Sequence, residues 1–291
     1  MKNKALIIDG NCLMFRAYYG TLSQLDYYIK NDKTPANAIK LMMLQMFKLL
    51  SNSNYKYAII AFDHKDKNFR KELFDNYKSQ RKQTPIHLIE QIEPIKKIMP
   101  LFGIKTMCVS GIEADDLIGS AVKLFSSYEI ESDVYSADND MLQLVSKHCN
   151  VVQFKKGLND TITYNVNNFM DLFHNLSPSQ IIDYKAISGD PSDNIPGLKG
   201  IGPKTTINLL RKFKSIDDIF VNINLLDNDK IKNMFLENKE SLFFFKKLIK
   251  ILDNALDTCD VEDFRLKSIQ LDNLKKVIEK FGFSGFGKYI F

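Results

Sequence analysis

Short apolar runs that stop at an acidic residue mark out the first part of the chain. Ala5-Leu6-Ile7-Ile8 ends at Asp9-Gly10-Asn11 and reads as a buried strand closing at a turn. Residues 36–50 then carry apolar side chains at helical spacing, in Ile39, Met42, Met43, Met46, Phe47 and Leu50. Tyr57 to Phe62 predicts a second strand, which ends at Asp63. After a basic, aromatic-studded stretch, Pro85 opens a predicted helix through Ile98, with Ile86, Ile89, Ile92 and Ile95 as its apolar positions. Ile104 to Val109 is a third strand. Asp133 to Ala137 is a fourth and runs into Asp138-Asn139-Asp140, and Val151–Phe154 and Thr161–Tyr164 are shorter ones.

Strands alternating with helices predict an α/β fold, a mostly parallel sheet with helices on both faces. Such sheets place ligands at the carboxyl ends of their strands. Asp9, Asp63 and Asp138 each close a predicted strand, and Glu113 lies just past another. One such aspartate is usually a turn residue or a cap; four imply convergence on one edge. After residue 175 the pattern changes to helices and turns. Ser177 to Gln180 predicts a helix start, residues 188–196 form a turn-rich loop, and residues 215–291 read as amphipathic helix with Phe243, Phe244 and Phe245 in a row. The expected division is residues 1–175 as the α/β core and 176–291 as a helical region packed closely on it.

Composition narrows the class. The chain has 291 residues, 45% hydrophobic and 26% charged, which suits a water-soluble globular protein. No stretch approaches the roughly 18 apolar residues of a membrane span, and the opening residues do not form a signal peptide. Cys12, Cys108, Cys149 and Cys259 make no CxxC pair and read as thiols in a reducing, cytoplasmic compartment. The net charge is +5, a mild bias towards polyanionic partners. Between His64 and Pro85, seven Lys or Arg stand against three acids, so cations gather beside acidic motifs.

Glu113-Ala114-Asp115-Asp116 packs three carboxylates into four residues. An acidic first turn of a helix would account for them alone. Matching acids elsewhere favour a cation, and the full set is Asp9, Asp63, Glu113, Asp115, Asp116, Asp138, Asp140, Asp190 and Asp193. Clustered oxygens suit Mg²⁺ or Mn²⁺, and nine exceed the need of one ion. Two ions promote in-line attack on a phosphodiester. No GxxxxGK[ST] loop supports nucleotide hydrolysis. Gly197-Leu198-Lys199-Gly200-Ile201-Gly202-Pro203-Lys204-Thr205 reads as a helix-hairpin-helix, which grips a nucleic-acid backbone without reading bases. If residues 69–82 are helical, Arg70, Phe74, Tyr77, Lys78 and Arg81 share a face suited to single-stranded nucleic acid.

Ile8-Asp9-Gly10, Phe62-Asp63, Tyr77-Lys78-Ser79-Gln80-Arg81, Glu113–Asp116, Ala137–Asp140 and Gly189–Asn194 running into Gly197–Thr205 together resemble the bacterial 5′→3′ exonuclease and flap endonuclease family, the nuclease found at the N-terminus of DNA polymerase I. The resemblance covers nearly the whole chain and implies a PIN-like flap-nuclease core with a helical arch at about 64–85. It assigns Asp9, Asp63, Glu113 and Asp115 to a first metal, and Asp116, Asp138, Asp140, Asp190 and Asp193 to a second or its surroundings. It places Tyr77, Lys78 and Arg81 in the arch and Arg70 at its base, with Lys78 and Arg81 stabilising charge in catalysis. It gives the duplex, and K⁺ bound through carbonyls, to the hairpin of Gly197, Lys199, Gly200, Gly202, Lys204 and Thr205. The implied activity is two-metal hydrolysis of DNA at 5′ flaps or 5′ single-stranded ends by a monomer, with RNA–DNA primer hybrids as further partners and no membrane. Without a polymerase region before residue 291, a stand-alone nuclease is expected. The competing expectations are a catalytically silent branched-DNA binding protein and a PIN-like ribonuclease.

Overall fold

In a computed structural model, which describes residues 3–31, 33–51, 54–155 and 160–290, six strands form one sheet. They are β1 (Lys4–Asp9), β2 (Tyr55–Ala61), β3 (Lys105–Met107), β4 (Glu131–Tyr135), β5 (Cys149–Phe154) and β6 (Thr161–Tyr164). Their order is β3-β2-β1-β4-β5-β6, parallel except for the final β5–β6 pair. The expected mostly parallel sheet is the one observed.

The apolar run of β1 has a simple cause. Strands covered on both faces must be apolar at every position. Leu6 and Ile8 join one core with Ala58 and Ile60 of β2, while Ala5 and Ile7 join a second core with Ile59 and Ala61. Helices α1 (Gly10–Gly20), α2 (Leu22–Lys30), α3 (Asn37–Ser51), α4 (Phe69–Leu73), α5 (Ile86–Ile98), α6 (Ala114–Ser127) and α7 (Phe169–Leu172) belong to this part of the chain. Helix α6 packs on β1, β2 and β4, and α1 and α3 sit in the opposite core.

Helices α8 (Gln180–Ser188), α9 (Pro203–Phe213), α10 (Ile216–Val221), α11 (Asp229–Glu237) and α12 (Lys239–Ile249) enclose a third core, including Phe213, Phe235 and Leu242. The chain then returns to the sheet. Residues 250–270 are not helical apart from a single 3₁₀ turn at Val261–Phe264, contrary to the helical pattern expected throughout 215–291. Ile251, Leu256, Val261 and Phe264 fill the second core. Helices α13 (Leu271–Phe281) and α14 (Gly287–Ile290) bring Leu274, Phe283, Phe286 and Ile290 into the first. Packing thus crosses the expected boundary at residue 175.

Other expectations shift by a few residues. The third strand is shorter than predicted, and the fourth ends at Tyr135, so Ser136 and Ala137 separate it from Asp138. The turn expected at Asp9-Gly10-Asn11 is the first turn of α1, because Asp9 accepts the Cys12 amide at 2.8 Å as an N-cap.

Candidate metal centre

Strand order reverses between β1 and β4, and in open parallel sheets the crevice at that switch is where ligands bind. Asp9 ends β1 there. Its Oδ1 accepts from the Cys12 amide, and its Oδ2 accepts the Ser136 hydroxyl at 2.7 Å. A side chain at Gly10 would meet the Phe62 ring at 2.5 Å, so only glycine lets α1 start this close to β2. Asp63, two residues beyond β2, accepts from the Ala114 amide at 2.8 Å and from the Asn11 amide group. Asp115 lies in the first turn of α6, and Asp138 caps a 3₁₀ turn through the Asp140 amide at 2.8 Å.

Asp9, Asp63, Asp115 and Asp138 line one cavity of about 340 Å³, together with Asn11, Cys12, Phe15, Lys78 and Arg81. Burial, with the charges of Asp138 and Asp63 nearby, pushes the Asp9 carboxyl up to about 6. Burial also raises Asp115 well above its ordinary value, and Asp138, Asp9 and Asp63 add to that while Lys78 opposes it. Crowded carboxylates resist ionisation without added positive charge.

A second group lies beside the first. Carboxylate oxygens of Asp140, Asp190 and Asp193 all fall within 4.8 Å of one another. Here the protein supplies a cation, because the Lys185 ammonium bridges Asp140 and Asp190, the latter at 2.7 Å. Burial would raise Asp190, but Lys185 outweighs it and the net shift is downward. Burial leaves Asp140 at about 7 in spite of Lys185. Asp193 receives Arg81 at 3.0 Å and the Tyr77 hydroxyl at 3.1 Å.

The nine acids therefore do not form one equivalent set. Glu113 is enclosed by Asn68, Arg70, Tyr77 and Lys78, all within 3.2 Å. Lys78 and Arg70 hold its carboxyl below the usual range against the opposing effect of burial. Asp116 accepts both Arg70 terminal nitrogens, at 2.7 and 2.8 Å, and the Leu252 amide at 2.8 Å. Its carboxylate is turned to protein and does not line the cavity.

The segment 69–82 departs most from expectation. Only Phe69–Leu73 is helical; Asp75 to Arg81 run in turns and a bend, and Lys78 takes a left-handed φ of 55°. Arg70 and Tyr77 are 2% and 3% exposed, so neither presents a face to a base as the helical pattern implied. Arg70 also donates to the carbonyls of Leu248 and Lys250 at 2.7 and 2.8 Å, which uses its fork fully. Short-range spacing could not show these partners, since they come from residues 113–116 and 248–250. Lys78 and Arg81 do reach the cavity. Lys78 donates its amide to the Asp193 carbonyl at 3.1 Å, which docks this segment on the 188–196 loop.

The glycine-rich motif joins α8 to α9. Gly197 and Gly200 have φ of 65° and 93°, and a Cβ at Gly197 would lie 2.3 Å from the Gly189 nitrogen. Leu198 and Ile201 are buried, while Lys199, Gly200, Gly202 and Lys204 are exposed and Thr205 partly so. Gly202 caps α9 with Pro203 at its first position. Two lysines and the glycines beside them are thus exposed.

Three residues escaped sequence reasoning: Ser136, Asn11 and Lys185. Ser136 and Asn11 each stand two residues from a candidate acid, a weak signal. Lys185 has none, because its role depends on where α8 points. Hard oxygen donors around a cavity with too little positive charge fit divalent cations. Asp9, Asp63, Asp115 and Asp138 supply the uncompensated set.

Zinc-bound 5′-exonuclease from bacteriophage T5 superposes on 97% of this chain and all of its own, with a TM-score of 0.69 at 24% identity. The bacteriophage T5 flap endonuclease, in a pseudo-enzyme–product complex with DNA and metal ions, matches 96% of this chain and 99% of its own with a TM-score of 0.66. The fold is thus that of a 5′-nuclease. Residues 4–174 match the 5′-3′ exonuclease N-terminal resolvase-like domain, and residues 176–272 its C-terminal SAM fold. A 5′-3′ exonuclease of Mycoplasma genitalium is 39% identical over 287 residues, covering 96% of this chain and 98% of its own. DNA polymerase I of Lactococcus lactis is 33% identical over 98% of this chain but only 33% of the polymerase. The chain belongs to the 5′-3′ exonuclease family.

Proposed function

We propose that the chain is a structure-specific 5′→3′ exonuclease and 5′-flap endonuclease that hydrolyses DNA phosphodiesters in primer or flap removal and repair. The observation that carries this is one cavity lined by Asp9, Asp63, Asp115 and Asp138 with Lys78 and Arg81 at the same walls. Acids facing a DNA backbone repel it unless cations intervene. Asp9, Asp63, Asp115 and Asp138 would hold one ion, and Asp140, Asp190 and Asp193 the residues for a second. Mg²⁺ or Mn²⁺ bound there would polarise the scissile phosphate and make water a stronger nucleophile.

The remaining roles fall to side chains. Lys78 and Arg81 donate to the phosphate oxygens and offset charge that develops on them. Lys199, Lys204 and the amides of Gly200 and Gly202 hold the duplex backbone, and K⁺ at hairpin carbonyls belongs to the same reading. Arg70 and Tyr77 instead support the segment from below. The substrate is DNA with a 5′ flap or 5′ single strand, RNA–DNA hybrids included, and the protein acts as a cytoplasmic monomer. Among the described residues, no helix is long and apolar enough to cross a membrane.

The test is a 5′-labelled flap duplex beside a single-stranded RNA of matching sequence, each with EDTA, Mg²⁺ or Mn²⁺. Metal-dependent cutting near the flap junction is expected. Binding without cutting in any metal would identify a silent binder, and cutting of RNA alone a PIN-like ribonuclease.

A further inference from the structure

We propose that Ser136 is a positioning residue whose one hydroxyl ties the Asp9 carboxylate to the backbone of Asp138, and so sets the affinity of the cavity for a divalent cation. The inference rests on the metal-dependent reading above. Strands β1 and β4 run parallel with Ile8 level with Tyr135, so the next step along both puts Asp9 level with Ser136. Ser136 is fully buried, with 0% exposure.

A serine hydroxyl has one proton to give and lone pairs to receive. The Asp138 amide donates to Ser136 Oγ at 3.0 Å. The single proton is thereby directed to Asp9 Oδ2 at 2.7 Å. With the Cys12 amide on Oδ1, each Asp9 oxygen takes one hydrogen bond and keeps a further lone pair. The same hydroxyl anchors the backbone of Asp138 on the other side of the switch between β1 and β4. Loss of it removes one hold from each wall of the cavity, leaving the Cys12 amide on Asp9 and the Asp140 amide on Asp138. Outer partners that orient ligating carboxylates typically control metal affinity by about 10–100-fold.

Ser120 gives a matched control. It is 2% exposed, donates to the Asp116 carbonyl at 2.6 Å and accepts from the Ala255 amide at 2.9 Å, and bonds to none of the carboxylates that line the cavity. Mn²⁺ binding to the full chain without DNA, by titration calorimetry, is measured for the unaltered protein, Ser136→Ala, Ser136→Cys and Ser120→Ala, with a melting curve for each. Ser136→Ala is expected to bind Mn²⁺ about tenfold or more weakly, and raised Mn²⁺ should recover much of its cleavage. Ser136→Cys, similar in shape but a weak donor, should fall between. Ser120→Ala should change the melting temperature and not the affinity. Unchanged affinity in Ser136→Ala, or in Ser136→Cys if the alanine variant does not fold, overturns the proposal, as does an equal loss in Ser120→Ala. Absence of Mn²⁺ uptake by the unaltered chain overturns the metal-dependent reading itself.

Discussion

One group of carboxylates in this protein lines a cavity, with Asp9 buried, Asp115 and Asp138 half-buried and Asp63 exposed, and its buried neighbour faces a lysine. Asp9, Asp63, Asp115 and Asp138 surround open space, and Asp115 takes no side-chain hydrogen bond among the described residues. Asp140 and Asp190 close on Lys185, and Asp116 closes on Arg70. The residue types are the same, but the source of compensating charge differs. An acid that finds its cation within the chain is already compensated and takes a metal ion only by displacing that cation, whereas one that does not is open to a ligand. Acid count alone therefore overstates a metal site.

Breaking the finished pairs should cost stability, and breaking the open group should cost chemistry. Arg70→Ala strips the counter-charge from Asp116 and part of that of Glu113, and should destabilise the fold by about 5 kcal/mol in urea unfolding. Asp115→Asn should slow single-turnover flap cleavage by about 10³-fold, several kcal/mol of lost transition-state stabilisation. Its flap binding in Ca²⁺ and its melting temperature should stay close to those of the unaltered chain; unchanged turnover would remove Asp115 from the site. Lys185→Met turns the closed group into an open one. Stability in EDTA should fall by about 3 kcal/mol, and the rise in melting temperature on adding Mn²⁺ should exceed that of the parent. No added response to Mn²⁺ would mean that the lysine is not standing where a cation can go. Lys199→Ala, at an exposed residue that belongs to neither group, should weaken duplex binding by less than about tenfold at every sequence and reduce the salt slope by about one. A loss confined to some sequences would contradict a backbone contact.

Much of the cavity was legible because its acids stand at the ends of apolar runs, and a parallel sheet collects strand ends. That logic places Asp9, Asp63 and Asp138 on the cavity; it also expects Glu113 there, which is not among the lining residues. The hairpin was legible for a local reason too, since glycines at 197 and 200 with Pro203 after them constrain the backbone wherever they occur. What failed was the segment 69–82. Its periodicity fits a helix, yet the chain keeps one only through Leu73; beyond it Tyr77 and Lys78 bond to Glu113 and Asp193, and those distant partners override a weak local preference. The pairing of Asp116 with Arg70 is equally invisible to local spacing. The aromatic run 243–245 is used in a way its sequence does not show: Phe74 meets Phe244 and Phe245 at 6.0 and 6.5 Å, which braces the segment that carries Lys78.

The return of the chain to the sheet after residue 250 bears on how the protein is born. On a ribosome the strands β1 to β5 emerge first, but Phe47 has no ring partners at Phe286 and Tyr289 until residues 286–289 are made. At about 5–20 residues per second, the faces of the sheet stay partly bare for several seconds or more after β5 is made. Nascent chains of this length should then attract chaperones at apolar positions around α3 and α6, and a fragment cut at residue 250 should remain in that unfinished state.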